Sequence, residues 1–538
     1  MRVLVESTQT VGLIGAPAAT SNLVPRLIQV IVFIGGMSSI GIELTASRLI
    51  APYFGSSTFI WANLIGLTLT FLSLGYFLGG RIADRYPSPA LLFLITAIAA
   101  CASGMIPIVS RPILTESLEA FDDFEVGAFY GSLVGVIVLI ALPVTLLGFV
   151  SPFAIRLLVS DLSRAGITSG NLYGLSTLGS IAGSFLPVIF LIPWIGTTNT
   201  FIALSLALFL PSVIALLAIG RIQHAVVSII LVGLMVVANV AVADGQIRRA
   251  ERGELIYEHE SEYNYIQVVE DDGRYMLALN EGHAIHSIYD PTSVLTGGPW
   301  DYFITAPLVM PNESDTTTDS ALIIGLAGGT VARQLTGAFG PIPIDGVEID
   351  ADIARVGREY FAMGSDELPN LNVIIEDGRY MLRTSSDRYD IIGIDAYHQP
   401  YIPFQLCTKE FFQEVSDHLN PGGVAVINVG RTKTDYRLVD VIAATMRAVF
   451  PHVYAIDVEG YNNTMLIGSH VPDGGSHFVT NTANLPETSI LRTVAERSIA
   501  TGDIREIDPD ARVFTDDHAP VELVVDQIIL DVAREGED

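Results

Sequence analysis

Seven apolar segments, at about 27–47, 59–79, 90–110, 128–150, 172–194, 200–219 and 224–243, dominate the first 245 residues of the chain. Each approaches the roughly 20 residues that a helix needs to cross a hydrocarbon layer, so this half is expected to be an α-helical, multi-pass membrane domain of about seven helices. A lipid bilayer is the first partner implied. Small residues recur in these segments, among them Gly36, Gly75, Gly179 and Gly183, as they do where membrane helices pack closely. Glu43 lies toward the end of the first segment with Arg48 as the nearest opposite charge, and an ionisable group at that depth is a functional candidate. Short-loop arginines fall almost equally on the two sides, so charge does not fix the orientation.

The rest of the chain holds most of the acids. Over all 538 residues, acidic residues number 58 against 29 basic ones, for a net charge of -29, and the only lysines are Lys409 and Lys433. So acidic a surface disfavours nucleic acid as a partner, suits cationic small molecules, and also matches a halophile-like composition in which salt screens the self-repulsion. Two cysteines, Cys101 and Cys407, give neither a disulfide framework nor a metal cluster, and no metal is expected. The expected order is an N-terminal tail (1–25), the helical domain (26–244), a linker (245–254), a small β subdomain (255–310) and an α/β domain (311–538). The β subdomain rests on alternating apolar and polar residues around a turn at Asp271–Gly273. His283 and His286, three apart in that context, point to opposite faces and do not read as a metal pair.

Functional signals concentrate after residue 320. Strands are legible at 321–324, 344–348, 372–375, 390–394 and 423–427, alternating with helices at 330–338, 351–361 and 408–418. Short β-branched runs alternating with helices predict a parallel sheet covered on both faces, whose ligands lie beyond the carboxyl ends of the strands. At those ends stand a glycine turn (Gly325, Gly328, Gly329) and three carboxylates, Glu348, Asp377 and Asp395. A glycine turn admits a ligand close to the backbone, Glu348 suits ribose hydroxyls, and Asp377 with Gly378 suits an exocyclic adenine amine. Asp395 stands where the reacting end of such a nucleoside would lie.

Several ordered motifs resemble the spermidine synthase family, the polyamine aminopropyltransferases, in its membrane-fused form. They are ESEYNYIQV (260–268), IIGLAGGTVAR (323–333), VEID (347–350), EDGRYML (376–382), DAYHQPYIPFQLCTKEFF (395–412), LNPGGVAVIN (419–428) and FTDDHAPVE (514–522). The resemblance implies a Rossmann-like methyltransferase-type domain behind a small β subdomain. It further implies decarboxylated S-adenosylmethionine as aminopropyl donor, an amine acceptor, and methylthioadenosine as product. In it Asp395 falls on the catalytic aspartate, Glu348 on the ribose acid, Asp377 with Gly378 on the adenine pair, and Asn264 on a donor-contacting glutamine. Asp301, Tyr397 and His398 fall to the acceptor.

Three departures stand out. Gly328 occupies the place of an aspartate that contacts the donor's amine, His398 replaces a second polyamine-binding aspartate, and Pro299-Trp300-Asp301 keeps only the acid of a Tyr-His-Glu type motif. The expectation is therefore a membrane-bound aminopropyltransferase-like enzyme with its soluble domain in the cytoplasm, where such donors are found. The alternatives are a methyltransferase using intact S-adenosylmethionine, or a polyamine transporter or sensor with a non-catalytic nucleoside-binding domain. The stretch GYFLGGRIADRY (75–86), which resembles a loop of major facilitator transporters, belongs to the last of these. Assembly into a homo-oligomer is left open.

Overall fold

The computed structural model of the chain describes residues 23–54, 58–119, 127–242, 247–280, 284–311, 318–364, 366–397, 400–500 and 504–535. The chain divides into two compact units, with the main boundary after residue 245.

In the first unit lie helices α1 (Leu23–Phe54), α2 (Thr58–Arg85), α3 (Pro89–Glu119), α4 (Gly127–Gly148), α5 (Val150–Leu158), α6 (Ala165–Phe185), α7 (Ile192–Ala218) and α8 (Ile222–Val242). Among the described residues, six helical runs are long and apolar enough to cross a membrane. The longest, Leu162–Ala218, has 57 residues. It holds two of the seven expected segments, and it kinks at Gly196, where φ is +77°. The backbone at Gly196 is non-helical (φ +77°, ψ +169°), so two helices meet there, and the six runs hold the seven expected segments. Close packing explains the small residues: a Cβ on Gly179 or Gly183 would lie 1.9 or 2.2 Å from the carbonyl oxygens of Phe33 and Met37 on α1. Because α1 continues to Phe54, Glu43 sits well inside that helix rather than near its end.

The second unit begins with a four-stranded antiparallel sheet in the order β1-β2-β3-β4 (Glu254–Glu260, Tyr265–Asp271, Arg274–Leu279, Ile285–Tyr289). The expected turn is a two-residue hairpin loop, with Asp272 at φ 51° and Gly273 at φ 78° between the paired Asp271 and Arg274. One face of this sheet, bearing Ile266, Val268, Leu277 and Leu279, packs on Ile353, Val356 and Phe361.

Beyond it lies an eight-stranded sheet. Its strands are β5 (Ala321–Ile324), β6 (Ile344–Glu348), β7 (Leu371–Ile375), β8 (Tyr389–Ile394), β9 (Leu419–Gly430), β10 (His452–Asp457), β11 (Asn463–Ser469) and β12 (Arg505–Glu506). Their spatial order is β12-β10-β11-β9-β8-β5-β6-β7. The helices are α9 (Thr330–Phe339), α10 (Ala351–Tyr360), α11 (Gly378–Thr384), α12 (Lys409–Asp417), α13 (Arg437–Arg447), α14 (Gly474–Asn484), α15 (Ile490–Ala500) and α16 (Val521–Glu535). The five expected strands are parallel to one another, but β10, β11 and β12 extend the sheet antiparallel, so it is mixed. Alternate strand residues serve two cores: Leu322, Ile324, Ile392, Ile394 and Ile427 meet α12, α13 and α16, while Ile323, Ile344, Ile391 and Val426 meet α9 and α15. A sheet apolar on both faces needs cover on both, and it has it.

Candidate active site

The topology fixes where a ligand can bind. From β5 the chain runs outward through β6 and β7, then returns to place β8 and β9 on the other side of β5. The strand order therefore reverses between β5 and β8, and the crevice beyond their carboxyl ends is the switch point at which doubly wound sheets bind ligands. Ile324 pairs with both Val347 and Ile394, and Ile394 pairs with Ile427. The next residue on each strand accordingly falls on one shared rung: Asn428, Asp395, Gly325 and Glu348. Adjacent strands lie about 4.8 Å apart, so Asp395 and Glu348, two strands apart, are separated by about 10 Å across the rung, the scale of a nucleoside.

Gly325 is what lets the rung close up. Its φ is +89°, and a Cβ there would lie 2.6 Å from the carbonyl oxygen of Asp395. Gly378 is needed for a similar reason, since its Cβ would meet the Ile324 side chain at 2.4 Å. Around them opens a cavity of about 380 Å³ whose lining includes Asn264, Glu348, Asp377, Gly378, Asp395 and Tyr397.

Asp395 is only partly exposed, and Asn428 donates to its Oδ1 at 3.0 Å. Burial pushes its carboxyl up to about 7, against the opposing hydrogen bonds from Asn428 and Trp300. A carboxylate held by donors, yet ready to take a proton near neutrality, is suited to general-base work. Glu348, 7% exposed, is also pushed up to about 7 by burial, although the backbone N–H groups of Asp350 and Ala327 bond its two oxygens at 3.0 and 2.9 Å. Each carboxylate oxygen can accept a second hydrogen bond, so Glu348 can still receive a diol.

The other candidates carry structural duties as well. Asp377 caps α11, its Oδ1 accepting from the N–H groups of Arg379 and Tyr380. Asn264 lines the cavity, but its amide is already engaged, donating to Asp350 and accepting from Asn280, both at 3.0 Å. Tyr397 spends its hydroxyl on β9, donating to the carbonyl of Asn428 and accepting from the N–H of Gly430, each at 2.9 Å. It therefore offers ring surface rather than a free phenol.

Two expectations are not met by the geometry. Asp301 faces neither cavity of the site: it is fully buried and accepts from the Thr296 and Gly297 backbone, the Thr296 hydroxyl, Gln334 and Arg497. The fold uses that carboxylate as an internal brace. Gly328 and Gly329 do not line the cavity either; Gly328 donates its N–H to Ser287, and a side chain on Gly329 would strike Met363. His398 lies outside the described residues.

Other residues reach the site without having been singled out. Asn428 ends β9 as Glu348 ends β6, so the strand-end rule extended by one strand would have found it. Trp300 and His286 come from the β subdomain and its flank, and only the tertiary fold brings them to Asp395. Arg379 is a further case, 6% exposed, with its guanidinium bonded to Glu414, Asp516 and the carbonyl of Gln405. It ties the helix capped by Asp377 to the loop carrying Gln405, which lines the same cavity.

A second cavity, of about 760 Å³, adjoins the first and shares Asp395, Tyr397 and His286 with it. The site thus has two chambers meeting at one carboxylate.

Comparisons with known proteins place a family domain in this part of the chain. Residues 308–468 match the spermine/spermidine synthase domain. A probable polyamine aminopropyl transferase of Bifidobacterium longum is 36% identical over 298 residues, covering 52% of this chain and 65% of that protein. The chain thus spans less than two thirds of that relative's length. A polyamine aminopropyltransferase of Corynebacterium efficiens is 28% identical over 389 residues, covering 68% of this chain and 69% of that one. That match is longer than the whole second unit, so it extends into the apolar half. The crystal structure of a probable spermidine synthase from Corynebacterium glutamicum superimposes with a TM-score of 0.37 at 21% identity, covering 48% of this chain and 95% of that one.

Proposed function

We propose that this chain, whose C-terminal part carries a spermidine synthase domain, is a membrane-bound aminopropyltransferase that moves an aminopropyl group from decarboxylated S-adenosylmethionine to an amine and releases methylthioadenosine. The observation that carries the reading is the shared rung: one carboxylate suited to a ribose, Glu348, lies two strands from a carboxylate poised near neutrality, Asp395, at the point where two chambers meet.

The adenosyl part would occupy the smaller chamber, with its ribose diol on Glu348 and its adenine beside Asp377 and Gly378. This directs the sulfonium toward Asp395. An amine entering from the larger chamber attacks the propyl carbon bonded to sulfur. The new C–N bond forms as the C–S bond breaks, and the electron pair leaves with sulfur as the neutral thioether. Only an unprotonated amine has the lone pair for this attack, so Asp395 in its carboxylate form orients the nitrogen and accepts its proton. Holding both reactants in line across one carboxylate supplies much of the remaining acceleration.

The apolar helices serve as the anchor, and the enzymatic unit faces the cytoplasm with its donor. Protease protection in sealed membranes should cleave the C-terminal unit only from the cytoplasmic side; cleavage from outside would reverse that orientation. For the reaction itself, purified full-length protein given decarboxylated S-adenosylmethionine and a panel of amines should release methylthioadenosine. Absence of that product with every amine, or an Asp395→Asn variant as fast as the wild type, would overturn the proposal.

A further inference from the structure

Asn428 reaches Asp395 as one link of a longer relay. Its Nδ2 donates to Asp395 Oδ1 at 3.0 Å, and its own Oδ1 accepts from Nδ2 of Asn463 at 2.9 Å. Asn463 opens β11, the antiparallel strand beside β9. In that register Asn463 lies opposite Gly430 and Met465 opposite Asn428, so the two asparagines are diagonal neighbours on one face. Gly430 carries no side chain to come between them. The strand end that holds Asn463 is itself tied down. Its carbonyl accepts from the N–H of Val458 at 3.0 Å, the neighbouring carbonyl of Asn462 accepts from the N–H of Arg431 at 2.9 Å, and the Arg431 side chain donates to Thr464 at 3.1 Å.

Direction matters in such a relay. A carboxylate only accepts, so ionised Asp395 requires the NH2 end of the Asn428 amide; the carbonyl end then faces Asn463, which must present its own NH2. A neutral Asp395 has a proton to donate and is served by the opposite orientation of that amide. By holding the carbonyl end of Asn428, Asn463 favours the orientation that matches the carboxylate. Burial works against that form and pushes the Asp395 carboxyl up to about 7, so a donor fixed in place bears on how much base exists near neutrality.

We propose that Asn463 is a positioning residue that acts through Asn428, keeping an N–H directed at Asp395 and so keeping Asp395 in its proton-accepting form. This rests on the aminopropyl-transfer reading, in which Asp395 is the base. Asn463 also lines the larger chamber, so direct contact with the amine is the competing role. Other titratable groups surround Asp395: His286 and Tyr397 line both chambers with it, and Glu348, Glu376, Asp377 and Glu522 line the smaller. Arg252, Arg274, Glu251, Asp271 and Asp272 line the larger. Variants of Asn463 leave all of these in place, so a ratio of variant to wild type at each pH cancels their titration and that of the amine.

The test gives full-length protein in detergent decarboxylated S-adenosylmethionine and one amine, and follows kcat/KM for methylthioadenosine release from pH 5.5 to 9.5. Wild type, Asn463→Leu, Asn428→Leu and the double variant are compared, leucine having the shape of asparagine without its donor or acceptor. For Asn463→Leu the ratio to wild type should be about one tenth below pH 6.5 and return to near one above pH 9, an upward move of the acid limb by about one pH unit. In the Asn428→Leu background the second substitution should add nothing, because the link through which it acts is gone. Thermal unfolding reads the same titration without turnover. A carboxyl whose folded pKa is raised loses its stabilising contribution as pH rises through that value, so the Tm of Asn463→Leu should go on falling to about pH 8 where the wild type levels off near 7. A ratio that stays constant with pH, beside an unfolding profile like the wild type's, marks a purely structural role and overturns the inference. So does an effect that persists undiminished without Asn428, or a rise in the KM for the amine alone. Asn463→Ala, which trims the same amide, is read in the same way should the leucine variant not fold. No methylthioadenosine from the wild type with any amine overturns the aminopropyl reading instead, and the unfolding profiles still decide for or against Asn463.

Discussion

The two chambers that meet at Asp395 are built by different means. The smaller is made of strand ends: Gly325, Glu348 and Asp395 follow directly from the register of β5, β6 and β8, and Asp377 begins the helix after β7. The larger is made of a sheet face, with β2 and β3 of the small sheet on one side and Asn428, Gly430 and Asn463 on the other. A site of the first kind is imposed by topology and tolerates little change, because a misplaced residue disturbs the sheet itself. A site of the second kind is imposed by how two sheets pack, and its floor can change residue by residue while the fold persists. On the proposed aminopropyl-transfer reading, donor recognition would be the fixed part of this protein and acceptor recognition the adjustable one.

The largest expected effect falls where the chambers join. Asp395→Asn removes the proton acceptor without changing shape, and kcat should fall about 10²- to 10⁴-fold while donor affinity changes little. Stopped turnover accompanied by an equal loss of donor binding would place Asp395 in the donor chamber alone.

Next comes the support of the donor side. Arg379→Met removes the more buried of the two arginines that face both Glu414 and Asp516, leaving Arg383. Because both carboxylates keep contact with water and with Arg383, the loss should fall below the roughly 3 kcal/mol of a broken buried pair, measurable by denaturant unfolding. The variant should also raise the KM for the donor more than that for the acceptor, since Arg379 holds the carbonyl of Gln405. Equal changes in both would erase the distinction between the chambers.

Glu348→Gln is a smaller and more selective change. Losing a charge-assisted hydrogen bond to a ribose should raise the donor KM roughly tenfold or more with kcat nearly kept, as initial rates at saturating amine would show.

The pH dependence sharpens the same contrast. Asp395 and Glu348 are each pushed up to about 7 by burial, far above the roughly 4 of an unfolded carboxylate. Between pH 4 and 7 the native state therefore holds more protons than the unfolded one, so stability should fall as pH rises across that window. Activity should rise over the same interval as the Asp395 carboxylate forms. Thermal unfolding from pH 4 to 8 checks the first trend and kcat/KM the second, and Asp395→Asn should flatten part of the stability loss.

The same contrast explains what could be read from the chain. Strands β5 to β8 and helices α9, α10 and α12 have nearly the boundaries predicted from short β-branched runs and their flanking glycines and acids. Once those strands are aligned, Gly325, Glu348 and Asp395 fall together without further information. The antiparallel strands β10 to β12 were not legible, because the alternation of strand and helix stops there. Asp301 misled because an acid at a motif position reads alike whether it meets a ligand or five donors inside the fold. Trp300, His286 and the floor of the larger chamber carry no local signal, since their role arises only when one sheet packs over the other. In the apolar half, hydropathy found the segments, including the two that meet at the non-helical Gly196.

The most direct test of the central claim offers the purified full-length protein equal amounts of decarboxylated and intact S-adenosylmethionine, with a panel of amines as acceptors, and identifies the thioether released. A rung that delivers a propyl carbon to Asp395 predicts methylthioadenosine in amounts matching the aminopropylated amine. Accumulation of S-adenosylhomocysteine and a methylated amine instead would contradict it.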